Sequence, residues 1–198
     1  MLDTMRIRRV LWAVLSLLVF LSATQAQDRG GSESDCDEWI TAFSTHPNQN
    51  SLEKVSGPAD AGCWALVGSS NSLLSKLNDW TKKGNQWTAQ YLAEHLNNLD
   101  GGNLEDVLRA LGEFSEHDMA RLLLFAHEGT LSGQELDDSL TMLPLSLSDN
   151  PTAQLRSLKL RRRKVTSITR TELSQQKAQA LTAIDRHITE VQEHKLED

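Results

Sequence analysis

The chain lacks most of the short motifs by which catalytic and cofactor-binding sites are identified. It contains no G-x-S-x-G nucleophile elbow, no glycine-rich phosphate-binding loop, no H-E-x-x-H zinc motif and no C-x-x-C pair. Cysteine is limited to Cys36 and Cys63, and tyrosine occurs once, at Tyr91. The sequence therefore predicts no catalytic residues, no cofactor and no enzymatic activity.

Alternation of apolar and polar residues, the pattern of half-buried strands, is also missing. Apolar residues instead recur every three or four positions, as on one side of a helix. The predicted fold class is all-α: a compact bundle of about six to eight helices with an N-terminal disulfide and a long C-terminal helix. We expect a helical domain over 34–143, a linker over 144–150 and a C-terminal helical segment with a basic run over 151–198.

Long apolar runs are absent except near the N-terminus. Arg6, Arg8 and Arg9 precede an apolar run over 10–21, and small residues follow it up to Ala26. The run has about a dozen residues, whereas a bilayer-spanning helix needs ~20. Residues 1–26 therefore resemble a secretory signal peptide cleaved near Ala26. We expect a disordered lead-in over 27–33 and a periplasmic or secreted protein.

Basic residues are outnumbered in the chain as a whole but concentrated in one stretch. The first 26 residues carry three arginines and one aspartate, so the formal charge of −7 becomes −9 without them. This acidic balance argues against nucleic-acid binding. The stretch 154–170 has seven Lys/Arg and no acid, and Arg161, Arg162, Arg163 and Lys164 form its densest run. This run is the candidate contact for an acidic partner or anionic lipid; the alternative is a solvated face or one docked on the protein's own acids.

Polar capping residues and breakers set the expected helix boundaries. A first helix is predicted from Ser34 to about His46, then a loop through Pro58. A second helix is predicted from about Asp60 to Lys82, with a weak point at 68–72, and the last one from Thr171 onward. Other predicted starts are Asn85, Asn103, Ser115 with Asp118, Ser132 with Glu135, and Asn150 before Pro151.

Cys63 lies in a segment with two interpretations. Ala61-Gly62-Cys63-Trp64-Ala65 resembles the nucleophile motif of papain-type cysteine peptidases, in which a helix start lowers the pKa of a thiol. That family has an additional cysteine and an oxyanion-hole glutamine upstream of its nucleophile. Asp60 and Gly57 occupy those two positions here, so neither residue is present. Two cysteines in a secreted chain usually pair, so we predict a Cys36–Cys63 disulfide.

Two segments have partial metal-site patterns. His187, Glu190, Glu193 and His194 are spaced along one side of the last predicted helix, and residues 129–136 are similar to the second half of an EF-hand loop. No second cluster completes the first site, and Leu124 and Ala126 would occupy two calcium ligand positions. We predict no metal site.

A non-enzymatic protein-binding module acting in the periplasm or outside the cell is the function these features favour. An inhibitor or immunity protein against an envelope-targeted toxin or enzyme is one form of it, because blocking a partner requires a surface and no chemistry. The alternatives are an envelope-associated scaffold or chaperone-like adaptor that touches anionic membrane, and a small hydrolase using a cysteine or carboxylates. We expect a protein partner and no nucleic acid. The sequence sets no oligomeric state.

Overall fold

The computed structural model describes the backbone of residues 33–57 and 60–197, and the side chains of 35–57 and 60–193. The signal peptide predicted over 1–26 and residues 27–32 of the lead-in predicted over 27–33 lie outside these ranges, and Glu33, the last residue of that lead-in, is the first residue of a helix. Within them the chain forms ten α-helices, three short 3-10 turns and no strand, which confirms the all-α prediction. None of these helices is both long and apolar enough to cross a bilayer.

The ten helices follow one another with short connections. Their bounds are α1 Glu33–Thr45, α2 Gln49–Val55, α3 Asp60–Gly68, α4 Asn71–Lys82, α5 Gln86–Glu94, α6 Gly101–Phe114, α7 Met119–His127, α8 Gly133–Thr141, α9 Pro151–Ser167 and α10 Ser174–Glu197. The 3-10 turns span Leu96–Asn98, Leu145–Leu147 and Thr171–Leu173. The apolar stripe near the C-terminus predicted a long last helix, and α10 confirms it.

Several predicted caps are present. The Asn85 side chain accepts hydrogen bonds from the amides of Trp87 and Thr88. Ser132 and Glu135 form a capping box at the start of α8. Asn150 accepts from the Ala153 amide, with Pro151 as the first helical residue. These side chains satisfy amides that have no partner inside the helix, so local chemistry identifies these three helix starts.

The predicted loop after the first helix is wrong, because it contains α2. Asn48 and Ser51 form a reciprocal capping box, and Leu52 and Val55 are buried on the inner side of this short helix. Asn and Ser favour turns and caps for the same reason, namely that their side chains bond to nearby amides. The sequence was therefore compatible with either structure.

Three other boundaries differ from the predictions. The helix expected over 60–82 is divided at its predicted weak point over 68–72, because Ser70 starts α4 by accepting from the Leu73 amide. Helix α6 begins at Gly101, two residues before the predicted Asn103 cap. Asp118 alone caps α7, since the Ser115 hydroxyl donates instead to the Gly112 carbonyl. The division and α2 raise the number of helices above the expected six to eight.

One apolar core joins the N-terminal and C-terminal helices. Phe43, Leu77, Leu111, Leu158 and Ile184 are all fully buried members of it. Helix α10 lies on α8, where the Gln179 amide donates to the Gly133 carbonyl and the Asp137 carboxylate. The segment after residue 150 is thus packed onto the preceding helices.

Candidate functional site

The Cys36–Cys63 disulfide is present and buried, as predicted. It joins α1 to α3 across 27 residues of chain. Cys63 stands in the first turns of α3, where a free thiol would be activated, but its sulfur is bonded to that of Cys36. Cys63 in this state has no thiolate to act as a nucleophile. A disulfide is typical of proteins in oxidising compartments outside the cytoplasm.

Aromatic rings and a buried histidine form a cluster around Trp64, the residue that follows Cys63. The indole of Trp64 stacks on the His95 imidazole, with ring centres 4.2 Å apart and planes 19° from parallel. Tyr91 contacts both rings and also packs edge-on against Phe43. Trp64 and His95 are almost fully buried, and Trp64, Tyr91 and Phe43 belong to the same apolar core as Cys36 and Cys63.

The His95 ring is hydrogen-bonded at both nitrogens. Nδ1 lies 2.9 Å from the Tyr91 carbonyl oxygen, and Nε2 lies 3.2 Å from Asp60 Oδ2 and 3.0 Å from Oδ1 of the same carboxyl group. The Tyr91 carbonyl can only accept, so Nδ1 donates the hydrogen of that bond. Within the described part of the chain, no hydroxyl contacts either nitrogen. The two bonds orient the histidine without presenting it to a nucleophile.

A cleft of about 580 Å³ opens beside His95 and Asp60. Asp60, Trp64, Ser69, His95 and Asn98 contribute to its lining. The Ser69 hydroxyl donates to the Leu66 carbonyl within its own helix turn. The cleft is large enough for a small molecule, but its one carboxylate is engaged by His95.

The predicted basic run does not form a single surface. Consecutive residues of a helix project in different directions, and all four members of the run belong to α9. Arg161 projects into the core with Leu158 and Val165. Arg162 pairs with Asp185 on α10, and Arg163 is exposed. Lys164 is half-buried.

Arg161 was predicted to contact a partner or lipid, but its side chain is fully buried and is not accessible to either. Its Nη1 donates to the backbone carbonyls of Ser139, Leu140 and Met142, at 3.2, 3.0 and 3.2 Å. Its Nε donates to Glu116 at 3.3 Å. These carbonyls end α8 and lack helical partners, so Arg161 acts as the cap of that helix. Burial lowers its pKa, and the Glu116 carboxylate opposes this shift.

A different set of cations on α9 does share a side. Thr152, Arg156, Lys159 and Arg163 follow one another at intervals of four, three and four residues, which places them along one line of a helix. All four are exposed, and this line faces away from the core residues of α9. We call Arg156, Lys159 and Arg163 the basic stripe. None of its members has an ion pair or hydrogen bond within the described residues.

The stripe borders a shallow surface depression. Its described lining consists of residues of α9 alone: Thr152, Leu155, Arg156, Lys159, Arg162 and Arg163. Leu155 is half-buried and supplies an apolar element beside the cations. Of the predicted run only Arg163 belongs to the stripe, whereas Arg156 and Lys159 were not among the predicted site residues. Helical spacing within the basic stretch is the signal that identifies them.

The segments with partial metal-site patterns show local contacts only. His187 Nδ1 lies 2.8 Å from Glu190 Oε2, one turn along α10. Glu135 accepts from the Ser132 amide as part of the capping box. Among the described residues, no three His, Cys, Asp or Glu side chains are arranged to hold a metal ion. The side chain of His194 lies outside the described ranges.

Comparisons of the chain with protein-family models, with curated proteins and with solved structures gave no match.

Proposed function

We propose that this protein is a non-catalytic binding module that acts in the periplasm or outside the cell and recognises a protein partner through the basic stripe. One observation carries the proposal: three exposed cations lie in line on a rigid helix without an acid to neutralise them among the described residues. Unpaired surface charges of one sign steer and orient a partner of the opposite sign.

The rest of the protein supports a role as a rigid carrier of this surface. The core holds α9 through Leu158 and Val165, and Arg161 anchors the same helix to the end of α8. The stripe is therefore presented by a helix whose inner side is fixed. Such preorganisation lowers the entropic cost of binding a partner. An inhibitor or immunity protein against an envelope-targeted toxin or enzyme is a function of this type.

Affinity capture with paired variants tests the proposal. The exported protein and its Arg156→Gln/Arg163→Gln variant would serve as baits for the extracytoplasmic fraction of the producing cell. The Lys54→Gln/Lys76→Gln variant is the matched control, because it removes two exposed cations outside α9. We expect one stoichiometric protein to be captured by the wild type and the control, and to be lost from the stripe variant. Capture that is equal for all three baits would contradict the role of the stripe.

The scaffold alternative is tested by vesicles. Vesicles of neutral lipid with about one third anionic lipid would be sedimented with the same three proteins. The proposal predicts no binding above that to neutral vesicles. Sedimentation that depends on Arg156 and Arg163 would instead favour an envelope-associated scaffold.

A further inference from the structure

The basic stripe has the dimensions of a helix–helix contact. From Arg156 to Arg163 it extends seven residues, or about 10 Å along the axis of α9. Its members are spaced by three and four residues, the same spacing at which side chains share one side of any α-helix. A second helix laid along α9 would bring a carboxylate opposite each cation when its own acids are spaced by three or four residues.

The depression beside the stripe also has an apolar component. Leu155 lines it together with Arg156 and Lys159, whose side chains have aliphatic stems as well as charged ends. A fully polar strand or coil would leave these carbons in contact with water. An amphipathic helix matches both components, with an apolar side chain against Leu155 and acids against the stripe.

The charge distribution of the chain favours a helix over a membrane surface as the partner of the stripe. Without the first 26 residues the chain carries −9, and outside the basic stretch 154–170 it carries −16. An anionic membrane extends in all directions beyond the stripe, so the net negative charge of the remainder of the chain opposes its approach. Charges interact across roughly 8–10 Å at physiological salt, which is close to the width of one helix. A helix can therefore contact the stripe while avoiding most of the acidic surface.

Resting on the proposed function, we propose that the partner presents an acidic amphipathic helix that lies along α9. Its carboxylates pair with Arg156, Lys159 and Arg163, and an apolar residue of that helix packs on Leu155. The pairing gives orientation as well as attraction, because shifting the helix by one residue moves its acids off the stripe.

Designed peptides test this inference without the natural partner. The first peptide, of about 20 residues, carries Glu at four-, three- and four-residue intervals with Leu on the adjacent side. The second has the same composition in an order that places its Glu on all sides. Binding of each labelled peptide to the exported protein would be measured by fluorescence anisotropy at low and at physiological salt. We expect the first peptide to bind about tenfold tighter, and Arg156→Glu/Arg163→Glu to weaken its binding by about tenfold or more.

The controls separate this inference from the proposed function. Lys54→Glu/Lys76→Glu changes the net charge equally and is expected to alter peptide affinity by less than about twofold, because those cations lie outside the stripe. Equal binding of the two peptides, or equal effects of the two double variants, would overturn the helical partner. If the natural partner is nevertheless captured in a stripe-dependent way, the proposed function stands and only the helical form of the partner is rejected.

Discussion

Gly112 and Arg161 occupy adjoining space in the interior. A Cβ atom placed on Gly112 would lie 2.9 Å from Nη1 of Arg161 and would overlap the backbone carbonyl oxygen of Ser139. The same carbonyl accepts a hydrogen bond from Arg161. Helices α6 and α8 can thus approach closely only because residue 112 has no side chain, and Arg161 fills the space that remains.

Replacing Gly112 by alanine is expected to destabilise the protein by ~2 kcal/mol or more, because neither the carbonyl nor the guanidinium has free space. Gly102→Ala is the matched control in the same helix, since no atom lies within 4 Å of its Cβ position. That change should be neutral or stabilising by up to ~1 kcal/mol. Urea unfolding measures both; equal effects would contradict the close approach.

Arg161→Met is expected to lower the free energy of unfolding by ~2–4 kcal/mol. The substitution removes the donor for three carbonyls and leaves Glu116 without its cation. Arg162→Met removes the neighbouring arginine, whose ion pair with Asp185 is exposed and screened by water, and should cost much less than Arg161→Met. A comparison of thermal or urea unfolding that found Arg162 to be as costly as Arg161 would be inconsistent with the buried cap.

The phenol of Tyr91 is expected to resist ionisation. Burial raises its pKa above the ordinary value of 10, and the carboxylates of Asp60 and Glu94 raise it further. Since the unfolded chain ionises at the ordinary value, Tyr91 contributes a constant stability below about pH 10 and favours unfolding above it. Tyr91 is the sole tyrosine, so the phenolate absorbance that appears above the tryptophan background comes from this residue alone. We expect phenolate to appear together with unfolding; a separate earlier transition would contradict the burial.

Tyr91→Phe provides an independent measurement at neutral pH. The Tyr91 hydroxyl is buried, and no hydrogen-bond partner for it exists among the described residues. Removing an unpaired buried polar group is expected to leave stability unchanged or to raise it by up to ~1 kcal/mol. A loss above ~1 kcal/mol in urea unfolding would indicate that the hydroxyl has a stabilising partner.

Removing the disulfide by Cys36→Ser/Cys63→Ser is expected to cost ~3–4 kcal/mol, mainly because the unfolded chain gains freedom over the closed loop. The native protein should show no labelling by iodoacetamide without reductant, and two labels per chain after reduction and unfolding. Rapid labelling of Cys63 in the native protein without reductant would contradict the disulfide and restore the thiol as a candidate nucleophile.

The fold was predictable to the extent that its determinants are local. Helical periodicity and the caps at Asn85, Ser132 and Asn150 gave the class and several starts, and two cysteines allowed one intramolecular pair. Helix α2 was missed because the Asn48 and Ser51 side chains serve turns and caps alike.

The candidate site was less predictable, because it depends on which way each side chain of α9 projects. Arg161 is buried owing to carbonyls at the end of α8, about 20 residues earlier in the chain. No local sequence pattern predicts the contact between Arg161 and these carbonyls. The stripe itself follows from helical spacing. The prediction instead took the densest run of cations, whose members are neighbours in sequence but project to different sides of α9. The pairing of His95 with Asp60 was equally non-local, since 35 residues separate them.

Lysine footprinting of the complex with the captured partner tests the central claim most directly. Acetylation rates of Lys159, Lys54 and Lys76 would be followed by mass spectrometry in the free and bound protein, since all three side chains are exposed. The basic stripe as partner surface predicts that Lys159 becomes protected by about tenfold or more in the complex, whereas Lys54 and Lys76 react at their free rates. Unchanged reactivity of Lys159 in a saturated complex would contradict it.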